Sequence, residues 1–134
     1  MKCYSDIIEI FLINYQLSME TYIVHLFMFI SVPSQPPTAF KLIATSSISI
    51  ATSWQLPPVY ARHATIIGFK LFYAKKVSGL SVTILTISGE STLSKNVTGL
   101  DKYTEYEFQV LAFTSDGDGP KSSVEVERTI EDGM

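Results

Sequence analysis

From Thr38 onward, apolar and polar side chains alternate in short runs, and each run stops at a cluster of turn-forming residues. Alternation with period two marks a strand with one buried face. Phe40, Leu42 and Ala44 predict a first strand. Ile48, Ile50, Thr52 and Trp54 predict the inner face of a second, with Ser47, Ser49 and Ser53 on its outer face. Pro57-Pro58 ends that ladder, because proline has no N–H to donate. Ile67, Phe69, Leu71 and Tyr73 predict the inward face of a third strand. The β-branched run from Val82 to Ile87, bounded by Ser78-Gly79 and Ser88-Gly89, predicts a fourth. Leu93 and Val97 belong to a fifth, Tyr106, Phe108, Val110 and Ala112 to a sixth, and Val124 and Val126 to a seventh. About seven short strands in roughly 100 residues predict an all-β, immunoglobulin-like sandwich.

The stretch before Val32 does not share this pattern. It has no Gly and no Pro and is rich in Ile, Leu, Phe, Tyr and Met, and the Pro-rich run Val32-Pro-Ser-Gln-Pro-Pro37 follows it. Such a shift marks a boundary, and the expected division is 1–31 and 32–134. The apolar runs Ile7 to Ile13 and Tyr22 to Val32 are each too short to span a bilayer, and Asp6, Glu9 and Glu20 are costly in lipid if the runs are joined. Three readings compete. The run Tyr22 to Ile30 is a short leader core, although Glu20 stands where a signal carries Lys or Arg. The segment adds a helix or strand to the domain. Or it is not native protein, because a Phe- and Leu-rich run before a domain boundary is what translation through a pyrimidine-rich intron end gives. The first and third are preferred to added structure.

Length and charge narrow the class. A chain of 134 residues is one ordinary domain, and about 100 residues bury a sufficient core. A net charge of -3 opposes nucleic-acid binding, which needs a clustered basic face. Lys70, Lys75 and Lys76 come nearest to a patch and read as a solvated strand edge. The single cysteine, Cys3, excludes an intrachain disulfide and any Cys₂His₂ or Cys₄ zinc site.

Four motifs then stand in order: Ser49-Ile-Ala-Thr-Ser-Trp-Gln-Leu-Pro-Pro58, Ile66-Ile-Gly-Phe-Lys-Leu-Phe-Tyr73, the run Val97 to Ala112, and Gly117-Asp-Gly-Pro-Lys-Ser-Ser123. Together they resemble the fibronectin type III family from Pro36 to Thr129. The resemblance implies a seven-stranded sandwich in which Trp54 is the core tryptophan. It also implies that Leu100 and Tyr106 form a tyrosine corner, the phenol reaching a backbone group across a chain reversal. Thr52 departs from the pattern by standing where the family usually has an apolar residue, and its hydroxyl needs a partner if buried.

Candidate chemistry is sparse. The sequence holds no G-x-S-x-G, no H-E-x-x-H and no phosphate-cradling glycine loop. His25 and His63 lie in different segments, and His63 reads as a loop residue. Asp116-Gly-Asp-Gly119 supplies too few oxygens for calcium and predicts a hairpin turn instead. It lacks the arginine of an Arg-Gly-Asp signal. Asn96-Val97-Thr98 is a glycosylation sequon, and an inward Val97 puts Asn96 outward. No enzyme, metal or cofactor is expected.

The resemblance is nearest to repeats of adhesion receptors and receptor-type tyrosine phosphatases. It implies a noncatalytic spacer and protein-interaction module, extracellular or at the cell surface. Its partners would be other proteins and neighbouring repeats, not nucleic acid or small-molecule substrates, and it would meet the membrane only through a parent protein. The alternative is an intracellular structural repeat of a giant muscle-type protein, since fold alone does not fix function.

Overall fold

The computed structural model describes residues 31–77 and 81–132. Cys3, His25, the leader-like run Tyr22 to Ile30 and the Ser78-Gly79 turn lie outside the described residues. Two antiparallel sheets face each other. One has the order β1 (Thr38–Ser46), β2 (Ser49–Gln55), β5 (Ser94–Val97). The other has the order β4 (Thr83–Ser88), β3 (Gly68–Lys75), β6 (Glu105–Thr114), with β7 (Gly117–Asp118) and β8 (Glu125–Arg128) both pairing with β6. The expected seventh strand, marked by Val124 and Val126, corresponds to β8, and the short ladder β7 pairs with β6 ahead of it, in the stretch that the sequence reads as a turn. Pro120 cannot donate to β6, while Gly119 and Ser122 still donate their N–H groups to the Ala112 and Val110 carbonyls.

The period-two faces meet as the core. Ile50, Trp54, Phe69, Leu71, Val97, Phe108, Val110 and Ala112 are buried together, and Phe40, Leu42 and Ala44 pack on them from β1. Tyr73 stacks on Phe108 with ring centroids 5.5 Å apart. The outer face of β3 is partly covered by charge, because Lys121 sits over the Phe72 ring at 4.3 Å.

Several positions depart from simple alternation. Ile48 is exposed because it sits in the tight turn between β1 and β2, where Ser46 pairs with Ser49. Ser49 is buried instead, and its hydroxyl is satisfied by Ser46 at 2.6 Å and Thr45 at 2.7 Å. Ile67 is 44% exposed while Ile66 is only 1% exposed. Phe113 is Gly68's register partner and also accepts the Ile67 N–H, so two residues face one. That extra residue turns Ile67 outward and gives the core site to Ile66. Val124 and Val126 flank and enter β8 but are exposed, so the seventh strand contributes pairing more than core.

Candidate interaction surface and structural site

Trp54 is 1% exposed and lies between Phe69, at a centroid distance of 5.4 Å, and Phe40, at 6.5 Å. Its Nε1 is buried with no hydrogen-bond partner among the described residues, so the indole acts there through area and ring contacts. Thr52, buried beside it on β2, donates its hydroxyl to the Lys95 carbonyl at 2.8 Å. The departure from an apolar residue is thus satisfied across the β2–β5 ladder.

Leu100 and Tyr106 are both buried where the chain reverses between β5 and β6. The Asp101 N–H donates to the Tyr106 phenol oxygen at 2.9 Å. Thr129 extends this knot, a contact that sequence reading missed. Its hydroxyl donates to the Asp101 carbonyl at 2.7 Å and accepts the Thr104 N–H at 2.9 Å. A threonine after a charged strand gives no sequence signal for such a role; only the return of the C-terminal segment alongside β6 creates it. Tyr106→Phe should lower stability by about 1 to 3 kcal/mol, because it strands the Asp101 N–H while leaving the ring in place. Urea unfolding measures it, and a change near zero would mean that water replaces the phenol without cost.

An open cleft of about 470 Å³ adjoins this corner, lined by Tyr73, Lys75, Thr83, Leu100, Asp101 and Tyr106 among others. Its charges satisfy one another. Lys75 and Asp101 form an ion pair, and that hydrogen bond, together with the carboxylate's charge, raises the lysine above its ordinary pKa. Lys70 pairs with Asp118 at 3.0 Å and Lys76 with Glu105 at 3.6 Å. The three lysines that come nearest to a basic patch are therefore each matched by a carboxylate.

The remaining candidates lie apart. Asn96 is exposed on β5, opposite Ala51, and Thr45 donates to its Oδ1 at 3.3 Å; Thr98 is also exposed. His63 is an exposed loop residue that shares a 3.0 Å hydrogen bond with Ser34. Asp116 sits in the β6–β7 hairpin turn, with Gly117 at φ 148° and the Asp116 N–H bonded to Thr114. Among the described residues, no three His, Cys, Asp or Glu side chains come together to hold a metal ion. Nor is any helix among them long and apolar enough to cross a membrane.

The loop Val59 to Thr65 is ordinary in length and carries no recognised sequence motif. It forms a 3₁₀ turn, Val59–Ala61, that buries Ala61 and leaves Tyr60 73% exposed. The turn is tied to the chain entry, since the Ser34 N–H donates to the Ala61 carbonyl at 2.9 Å.

Comparison with known proteins places this geometry. The model of the fibronectin type III domain matches residues 35–128. Protein sidekick-2 of Mus musculus is 41% identical over 103 residues, which is 76% of this chain and 5% of that protein. The cell adhesion molecule DSCAM of Homo sapiens is 41% identical over 102 residues, 75% of this chain and 5% of its own length. The tyrosine-protein phosphatase Lar of Drosophila melanogaster is 39% identical over 102 residues, again 5% of its length. Among solved structures, the FN5 domain of Drosophila Lar superposes with a TM-score of 0.60 at 32% identity, covering 74% of this chain and 98% of that domain. The fn3 domain of the human collagen alpha-1(XX) chain shares the fold, with a TM-score of 0.64 at 18% identity over 76% of this chain and 90% of its own.

Proposed function

The chain belongs to the fibronectin type III family, and from that premise we propose that it is a noncatalytic interaction and spacer module of a multi-repeat cell-surface adhesion or receptor protein. The carrying observation is the roughly two-fifths identity, over this unit alone, to proteins named as cell adhesion molecules. The chain spans about 5% of those relatives' length, so adhesion in this reading comes from many repeats acting together. The arrangement of the sandwich supports it. Trp54 and Tyr106 are spent on the core, and the charges at the cleft are paired internally. A domain exchange tests the proposal. Human DSCAM carrying this unit in place of its matched segment should still reach the cell surface and support adhesion. A receptor that is delivered and folded but no longer adhesive would sink the spacer reading.

Asn96 bears on the compartment. Its exposure on an edge strand leaves room for a glycan, and the sequon is complete. Expressed through a eukaryotic secretory pathway, the chain should carry a glycan that a glycosidase removes and that Asn96→Gln abolishes. Identical masses for the two chains before and after digestion would withdraw this support for an extracellular place.

A further inference from the structure

Among the described residues, two open sheets present four edges, and an unguarded edge is a template for another strand. Three of the edges here carry guards. β1 is irregular at two points of its register, has Ala39 at φ 53°, and ends with its Ser46 carbonyl accepting the Ile130 N–H. β5 is four residues long and carries Lys95 and the Asn96 sequon. The β7–β8 side is broken at Pro120 and charged at Glu125, Glu127 and Arg128. β4 differs. Its sequence is Thr-Ile-Leu-Thr-Ile-Ser, without charge, proline or glycine, it keeps unbroken register with β3, and no second strand pairs with it among the described residues.

Backbone parity shows what that edge offers. The Gly89 N–H donates to the Ile67 carbonyl, and the Lys76 N–H donates to the Glu105 carbonyl. In an antiparallel ladder both backbone groups of a residue point the same way, and the direction alternates along the strand. Odd-numbered residues of β4 therefore bond to β3, and Ile84, Thr86 and Ser88 turn their N–H and C=O groups outward. The set is symmetric about Thr86.

We propose that β4 is a self-association edge, on which a second copy of this chain adds its own β4 in antiparallel register. A two-fold axis normal to the sheet preserves the faces, so residues of like parity oppose each other. Thr86 then meets Thr86, Ile84 meets Ser88, and Leu85 meets Ile87 on the inner rim. The outward backbone groups of β4 pair among themselves with none left over. Three further features select a copy of the chain over a foreign strand. The strand has no charge to repel its twin, its Thr-Thr pair is favourable across strands, and Ile84, 53% exposed, loses water in the contact. The two five-stranded sheets become one continuous sheet. This inference stands on the ladder geometry and is independent of the adhesion reading.

Sedimentation equilibrium of the full chain tests it. The wild-type mass should rise from one chain toward two with concentration. Thr86→Lys puts like charges on the axis, and Thr86→Pro removes an outward N–H that β3 does not use. Each should weaken the dimer at least about tenfold while leaving the circular dichroism unchanged. Ser94→Lys, on the opposite sheet, should leave the dimer intact. Should a Thr86 variant fail to fold, hydrogen exchange of the wild-type chain decides: the Ile84, Thr86 and Ser88 amides should gain protection with concentration. A single-chain mass up to about 1 mM, a dimer indifferent to both Thr86 changes, or outward amides that stay unprotected would each overturn the proposal.

Discussion

Trp54→Ala should destabilise the sandwich by about 3 to 5 kcal/mol, the range for emptying a large aromatic site in a packed core. Against a total stability of about 5 to 15 kcal/mol, that leaves a substantial unfolded fraction at physiological temperature. The site cannot collapse cheaply, because Phe69, which meets the indole from the facing sheet, is fixed in ladders with both β4 and β6, while Phe40 packs on the indole from β1. Trp54→Phe separates area from polarity. The indole N–H has no partner to lose among the described residues, so this change should cost well under half as much as alanine. Urea denaturation of both variants, followed by circular dichroism, gives the comparison. Equal losses would mean that the N–H is engaged in some contact, such as a bound water, that the core geometry does not show.

The second large effect runs against the usual sign. In a strand interior, Gly→Ala ordinarily gains about 0.5 to 1 kcal/mol, because glycine has more backbone freedom to lose. Gly68→Ala should instead lose about 3 kcal/mol, at the upper end of overpacking costs. A Cβ at this position would lie 2.4 Å from the Ile87 carbonyl oxygen and 2.7 Å from Cζ of Phe113. The ring can swing aside. The carbonyl belongs to β4, and moving it strains the pairing of Gly68 with Ser88 and of Phe69 with Ile87. A second substitution resolves the two contributions: Phe113→Ala relieves the ring clash but not the carbonyl clash. The double variant should therefore recover only part of the loss. Full recovery would assign the whole constraint to the ring and leave the β3–β4 approach without a role.

These two positions differ in how far the chain itself announces them. Trp54 is legible because it closes an alternating run just before Pro57-Pro58, and the resemblance adds a core tryptophan at that place. Gly68 carries no such mark. It stands within an apolar run, and nothing local says that a neighbouring carbonyl sits where a Cβ would go. The same limit applies to Thr129, whose hydroxyl ties Asp101 to Thr104. Those partners are more than twenty residues away, so the bond exists only once β8 has returned to β6.

The sequence by itself determined most of the strand runs, the inward set on β6, most of those on β2 and β3, and a turn at Asp116, because period-two alternation and turn chemistry act between near neighbours; the resemblance to the fibronectin type III family rests instead on four motifs standing in order. The tertiary structure decided what depends on register. It turned Ile67 out and Ile66 in through a bulge opposite Phe113. It buried Ser49 among hydroxyls where alternation had placed it outside, and it set Ile48 in a turn. It matched Lys70, Lys75 and Lys76 with separate carboxylates, two of them from the chain around β6. Among the described residues, it also left β4 as the one edge without a charge or a break. Pattern is a property of a single strand, whereas register, ion pairing and edges are properties of strands brought together by closing long loops.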